Sequence, residues 1–81
     1  MLTLKIVSPE KVIFDGTVES VKVPGVMGEF EILNNHAPIV SALNAGNVEY
    51  KTKDSKESFA VVGGFVEVQR NIVSLCVELQ A

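Results

Sequence analysis

Apolar residues in this 81-residue chain tend to recur at every second position, and turn-forming residues interrupt the pattern at short intervals. Helical periodicity is poor, so the pattern calls for many short strands. In "LTLKIVS", Leu2, Leu4 and Ile6 share one face, with Thr3 and Lys5 on the other. "SPEK", from Ser8 to Lys11, reads as a turn. Val12 to Phe14 form a short apolar run broken by Asp15-Gly16, the strongest local hairpin signal in the chain. In "TVESVKV" the apolar phase slips by one between Val18 and Val21, which predicts a bulge, and Pro24-Gly25 closes the segment.

Gly28 opens a further strand, with Phe30 and Ile32 pointing one way and Glu29 and Glu31 the other. The Asn-Asn-His-Ala-Pro loop follows, then a short apolar element from Ile39 to Leu43, ended by Asn44-Ala45-Gly46. "NVEYKT" places Val48 and Tyr50 on one face and Glu49 and Lys51 on the other. Lys53 to Glu57 form a charged connection, and "SFAVV" runs into Gly63-Gly64, a signal for a bulge or a close backbone approach. The last hairpin can be read in register. With Arg70-Asn71 as a two-residue turn, Val68 faces Val73, Val66 faces Leu75, and Glu67 faces Ser74 on the opposite side. Arg-Asn is not the favoured Asn-Gly, so the turn type stays open. The expected fold is all-β: an antiparallel β-sandwich or flattened barrel. No repeat, linker or low-complexity segment divides the chain, so residues 1–81 are expected to form one domain.

A chain of this size buries only roughly 60–65% of the surface its unfolded form exposes, which leaves little room for a deep catalytic cleft. With 47% hydrophobic residues, disorder is not expected. The longest apolar or glycine run, Phe59 to Val66, falls far short of the roughly 20 residues that span a bilayer. Met1 leads straight into an alternating strand, so no signal or transit peptide is expected. The expected location is therefore the cytosol, or a membrane reached through partners. A single cysteine, Cys76, excludes an internal disulfide and reads as a small buried hydrophobe. The net charge of -3 argues against a nucleic-acid partner. Between Lys22 and Lys51 there is no Lys or Arg, while Glu29, Glu31 and Glu49 fall inside that span. This is either a one-sign patch for a basic partner or an ordinary solvated face.

The only histidine, His36, stands in "GEFEILNNHAPIV" downstream of Glu29 and Glu31. Two strand residues two apart have Cα atoms roughly 6.6–6.8 Å apart, similar to the carboxylate separation in glycosidases. Those pairs flank a sugar in a cleft, whereas these stand side by side on an outer face. His36 has no cysteine or second histidine to complete a metal set. Neither a Gly-x-Ser-x-Gly elbow nor a phosphate-binding P-loop is present. His36 therefore reads as a loop residue bonded to nearby backbone or Asn side chains, or as part of an interface. No catalytic, cofactor or metal residues are assigned.

"GEFEILNNHAPIVSALNAGNV" (Gly28 to Val48) and "VVGGFVEVQRNIVSLC" (Val61 to Cys76), with the opening "LKIVSPEKVIFDGTVESVKVPG", resemble the amino-terminal domain of the epsilon subunit of F-type ATP synthases. Two departures fall in one loop: Glu31 stands where the family usually has Gly, and Asn34 where it usually has Pro. Family members commonly continue into a carboxy-terminal pair of helices. The sequence stops at Ala81, which implies a short form or an excised domain without the ATP binding and inhibition those helices carry. The resemblance implies a β-sandwich of about ten strands in the central stalk of the rotor. It would perform no chemistry and would need no cofactor. It would link the gamma subunit to the loops of the membrane c-ring, and reach the catalytic alpha/beta head through gamma. Proton-driven rotation would thereby be coupled to ATP synthesis at the cytoplasmic face of the bacterial inner membrane, with the membrane touched only through partner subunits. By motif, Glu29, Phe30 and Glu31 would face the c-ring, and Ser8, His36 and Ser41 would lie toward gamma. The alternatives are a free-standing β-sandwich adaptor for another complex and a small hydrolase.

Overall fold

A computed structural model describes residues 1–80; Ala81, the last residue of the expected domain, lies outside the described residues. Eight strands form: β1 (Leu2–Val7), β2 (Val12–Val18), β3 (Ser20–Gly25), β4 (Gly28–Ile32), β5 (Ile39–Leu43), β6 (Gly46–Lys51), β7 (Lys56–Gln69) and β8 (Ile72–Leu79). Most of them follow from alternation, since β-branched and apolar residues on every second position bury one face of a pleated strand.

The pairings sort into two layers, and β7 belongs to both. Its first half pairs with β6, which pairs with β3 and through it with the edge strand β4. Its second half lies between β5 and β8, and β8 leads through β1 to the other edge strand, β2. The bend falls at Gly63-Gly64, where the β7–β8 register shifts as a bulge between Val61 and Gly63. Gly64 has a φ of 146°, and a Cβ there would lie 2.2 Å from the Cys76 carbonyl oxygen. Only glycine lets the two backbones close at this point.

Inward residues of both layers meet in one cluster. Leu4, Ile6, Val66, Val73 and Leu75 from one layer pack with Val21, Val23, Ile32 and Val48 from the other. None of these nine exceeds 0% relative exposure, so the interior is sealed. The final hairpin has the expected register, Val68 to Val73, Val66 to Leu75 and Glu67 to Ser74. Arg70 (φ 53°) and Asn71 (φ 62°) both adopt left-handed backbone. Positive φ at both central positions is the type I′ geometry, so the turn matches strand twist without the usual Asn-Gly.

Several local expectations change. Asp15-Gly16 is no hairpin tip: β2 runs straight through it, with Asp15 opposite Lys5 and Gly16 opposite Leu4. The reversal occurs instead at Ser8–Lys11, where Ser8 N–H donates to the Lys11 carbonyl at 2.9 Å. Gly16 serves packing, because a Cβ there would come within 3.2 Å of the Phe14 ring. The phase slip between Val18 and Val21 is the step at Glu19 where the chain leaves β1 and joins β3 to β6 and β4. Eight strands are described where about ten are implied, because β2 and the 14-residue β7 continue through sites that read as breaks. One pairing, β1 with β8, is parallel. Cys76 is half-buried on the outer face of its layer, since its neighbours Leu75 and Val77 occupy the inward positions.

Aromatic rings close the side of the sandwich beside β2. Phe14 lies 4.5 Å from Tyr50, centroid to centroid, and Tyr50 lies 6.5 Å from Phe59. Burial, and then the nearby Glu57 carboxylate, raise the Tyr50 phenol pKa above its ordinary value. The unfolded chain therefore loses this proton first, near pH of about 10. Stability that is full below that pH is expected to fall as pH rises through the folded value. Tyr50→Phe should flatten the alkaline limb of stability against pH, measured by urea melts; an unchanged limb would exclude Tyr50 as its source.

Candidate functional site

The two carboxylates of "GEFEIL" project outward from β4, and Ile32 is buried, as alternation requires. Phe30 shares the inward side and is partly buried, packed beside Gly25, where a Cβ would lie 2.8 Å from its ring. Phe30 thus anchors the strand, while Glu29 and Glu31 present to solvent.

The acidic segment is not a patch of one sign in space. Antiparallel pairing sets Lys22 of β3 opposite Glu31 on one side and Glu49 on the other. Lys22 Nζ lies 3.5 Å from Glu29, and Lys56 Nζ lies 3.2 Å from Glu49. The lysines missing from the sequence span arrive from neighbouring strands, so the face carries mixed charge. Exposed pairs of this kind are worth about 0.2–1 kcal/mol each and remain free to re-pair with a partner.

Downstream of β4 the chain makes a tight turn. His36 N–H donates to the Leu33 carbonyl at 3.1 Å, and Asn35 takes a φ of 66°. Positive φ at the third residue fits a type II turn. His36 Nδ1 donates to the Ala37 carbonyl at 2.7 Å, which places a proton on that nitrogen. The ring sits 6.4 Å from Phe30, centroid to centroid, so β4 and the loop support one another. Among the described residues no carboxylate lies within ion-pair distance of the imidazole. The arrangement shapes a loop and offers no base–orienter pair for proton transfer.

Ser8, His36 and Ser41 are not neighbours. Ser41 is level with Val66, Leu75 and Ile6 across β5, β7, β8 and β1. Three interstrand spacings of about 4.8 Å put Ser41 and Ile6 roughly 14 Å apart, with Ser8 two residues further on. Ser41 stands on the inward side of β5, and its hydroxyl donates to the Ala42 carbonyl at 3.0 Å. The same register brings together a row that had not been anticipated. Ala42, Phe65, Cys76 and Val7 lie side by side on the outer face. Phe65 is 50% exposed. A shallow depression of about 520 Å³ opens there, lined by Val7, Ser8, Pro9, Phe65 and Cys76 among others. Ser8 lies at the Val7 end of this apolar row, whereas Ser41, next to Ala42 at the other end, is turned to the inward side. The hairpin register already carried the signal: if Val66 and Leu75 face inward, Phe65 and Cys76 must face outward.

Among the described residues no group of three or more His, Cys, Asp or Glu side chains is arranged to hold a metal ion, and no helix is long and apolar enough to cross a membrane.

A family model described as the ATP synthase delta/epsilon chain β-sandwich domain matches residues 1–79. An ATP synthase epsilon chain of Leptospira borgpetersenii is 43% identical over 74 residues, covering 91% of this chain and 58% of that protein. An ATP synthase epsilon chain of Chlorobaculum tepidum is 43% identical over 77 residues, covering 94% of this chain and 88% of that protein. Among solved structures, a chain of the Euglena gracilis mitochondrial ATP synthase (OSCP/F1/c-ring) superposes with a TM-score of 0.88 at 22% identity, over 94% of this chain and 49% of that one. A chain of the Tetrahymena thermophila mitochondrial ATP synthase central stalk and c-ring gives 0.81 at 20% identity, over 95% of this chain and 63% of that one. At these identities the two structures share the fold.

Proposed function

The chain belongs to the ATP synthase delta/epsilon-chain β-sandwich family, and from this premise we propose that it is the non-catalytic central-stalk subunit of a rotary F-type ATP synthase. The match along residues 1–79 carries this reading. In it, the sandwich binds the gamma subunit, rests on the loops of the c-ring, and transmits rotation between them. The alpha/beta head is reached through gamma. The subunit is peripheral, at the cytoplasmic face of the bacterial inner membrane, and meets the membrane through its partners.

Rigidity is the physical requirement for such a role, because torque passes only through a body that does not deform. A sealed aliphatic core bridging both layers suits this, as does the strand β7 that belongs to each. The gamma side is the outer face bearing Val7, Phe65 and Cys76, with Ser8 at one end of the row; Ser41, on the inward side of β5, and His36, in the loop before β5, complete the assignment to gamma from separate positions. Burying an apolar row with polar flanks is how protein interfaces gain affinity and register. The ring side is the outward face of β4, where Glu29 and Glu31 are offered with Lys22 beside them, and Phe30 holds the strand from within.

Affinity capture of the tagged chain from native membranes is expected to recover gamma, c, alpha and beta subunits. Recovery of a different complex without gamma would overturn the rotor reading in favour of a free-standing adaptor.

Replacing both Glu29 and Glu31 with Lys tests the ring side. Folding should change by no more than about 1 kcal/mol, since exposed charges contribute weakly. Gamma should still bind, while proton pumping per ATP hydrolysed in membrane vesicles should fall, because a basic ring loop now meets like charge. Normal pumping with the variant fully incorporated would remove these glutamates from the ring interface.

A further inference from the structure

Two asparagines from distant parts of the sequence grip one another at one end of the sandwich. Asn35 N–H donates to Asn71 Oδ1 at 2.6 Å, and Asn71 Nδ2 donates back to Asn35 Oδ1 at 3.2 Å. Asn71 is itself fixed: Thr3 N–H donates to its backbone carbonyl at 2.9 Å, and its φ of 62° is set by the β7–β8 turn. The Leu33–His36 turn, by contrast, is closed by a single backbone bond, with the His36 ring tied only to the next carbonyl, Ala37. Neither central residue, Asn34 or Asn35, is the Pro or Gly that would preset a type II turn. Asn35 tolerates the positive φ of the third position, and the bonds to Asn71 add a restraint from outside the turn.

We infer that Asn71 is a positioning residue for the docking loop: its amide clamps Asn35 in left-handed backbone and so fixes where His36 and Asn34 are presented. The use of the loop in docking rests on the function proposed above; the clamp itself does not. The loop and the last hairpin thereby act as one surface element. A change in the β7–β8 turn is transmitted to a loop distant from it in sequence.

Chemistry distinguishes the two bonds. Asn71→Gly keeps the positive φ and the Thr3 bond but removes both amide contacts. Asn71→Asp keeps an acceptor for the Asn35 N–H and removes the return donor. Asn34→Pro presets the second position of the turn without restoring either bond.

The test is amide hydrogen exchange by NMR on the 81-residue chain, alongside its affinity for the cognate gamma subunit and a thermal melt. In Asn71→Gly the Asn35 amide is expected to exchange on the order of five- to tenfold faster, the net worth of one hydrogen bond. The buried β7–β8 amides should stay protected and gamma affinity should fall several-fold. Asn71→Asp should retain the Asn35 protection. Adding Asn34→Pro to Asn71→Gly should restore gamma affinity while Asn35 exchange stays fast, a split that a general loss of stability cannot produce. Unchanged Asn35 exchange in Asn71→Gly would overturn the clamp. Faster exchange with unchanged gamma affinity would uphold the clamp and overturn the docking role of the loop.

Discussion

Gly64→Ala is expected to cost more than about 3 kcal/mol and to leave much of the population unfolded. Two penalties combine. A φ of 146° is a conformation that L-residues rarely adopt, costing about 1–3 kcal/mol. The new Cβ also meets the Cys76 carbonyl oxygen at 2.2 Å and the Val77 Cα at 2.9 Å. Both are backbone of β8, so relief requires parting two paired strands, adding about 1–3 kcal/mol or more. A domain of this size has about 4–12 kcal/mol of total stability to lose. Gly63 supplies the control. Its only close neighbour would be the Leu43 carbonyl oxygen at an ordinary 3.7 Å, and it has no positive φ. Gly63→Ala should therefore stay within about 1 kcal/mol of the parent. Equal losses from the two alanines in guanidinium melts would contradict the geometry of the bend.

Leu75→Ala is expected to cost about 2–5 kcal/mol, as large-to-small changes in sealed cores do. Leu75 is fully buried opposite Val66, in the cluster that joins both layers. Glu67, next to Val66 along β7, is exposed and faces Ser74. Glu67→Ala should cost no more than about 0.5 kcal/mol. Denaturant midpoints that moved together would show that the inward and outward faces of this hairpin had been exchanged.

The last hairpin was legible because its evidence is local and redundant. Val66, Val68, Val73 and Leu75 face one another only if Arg70-Asn71 is the turn, and a slip by one residue turns one strand's pair away from the other's. The outward placement of Glu29 and Glu31 was legible for the same reason. Asp15-Gly16 misled because a hairpin dipeptide is a statement about local backbone preference. The preference yields when Phe14 needs the space above a glycine and Asp15 can rest on an exposed edge strand. The acidic span misled because charge was counted along the chain. Strand pairing brings Lys22 and Lys56 to Glu29 and Glu49 across the sheet. Of the residues proposed for docking, the local structural places of Phe30, on the inward side of its strand, and His36, in a shaped loop, were legible. The separation of Ser8 from Ser41 and the row between them depend on which strands are neighbours. No residue in β1 announces that β8 will lie beside it.

That pairing has a bearing on how the molecule is made. β1 is flanked by β2 and β8, which come from opposite ends of the chain, and Val7 lies against Cys76. The β1–β2 hairpin can close within about 1–10 μs of leaving the ribosome. Its inner edge must then wait while the rest is synthesised, at about 5–20 residues per second. During those seconds Leu4 and Ile6, which end fully buried, have no β8 to cover them. An unpaired edge beside apolar side chains is a template for pairing with another chain. The outer edge of the same hairpin, β2, is blunted by exposed Asp15 and by charged Lys11 at its turn. The inner edge carries only Thr3, Lys5 and Val7 between its buried residues. Nascent chains are thus most vulnerable to misassociation in the interval between the first hairpin and the arrival of β8, and the β1–β8 seam of the sandwich is the last part of it to exist.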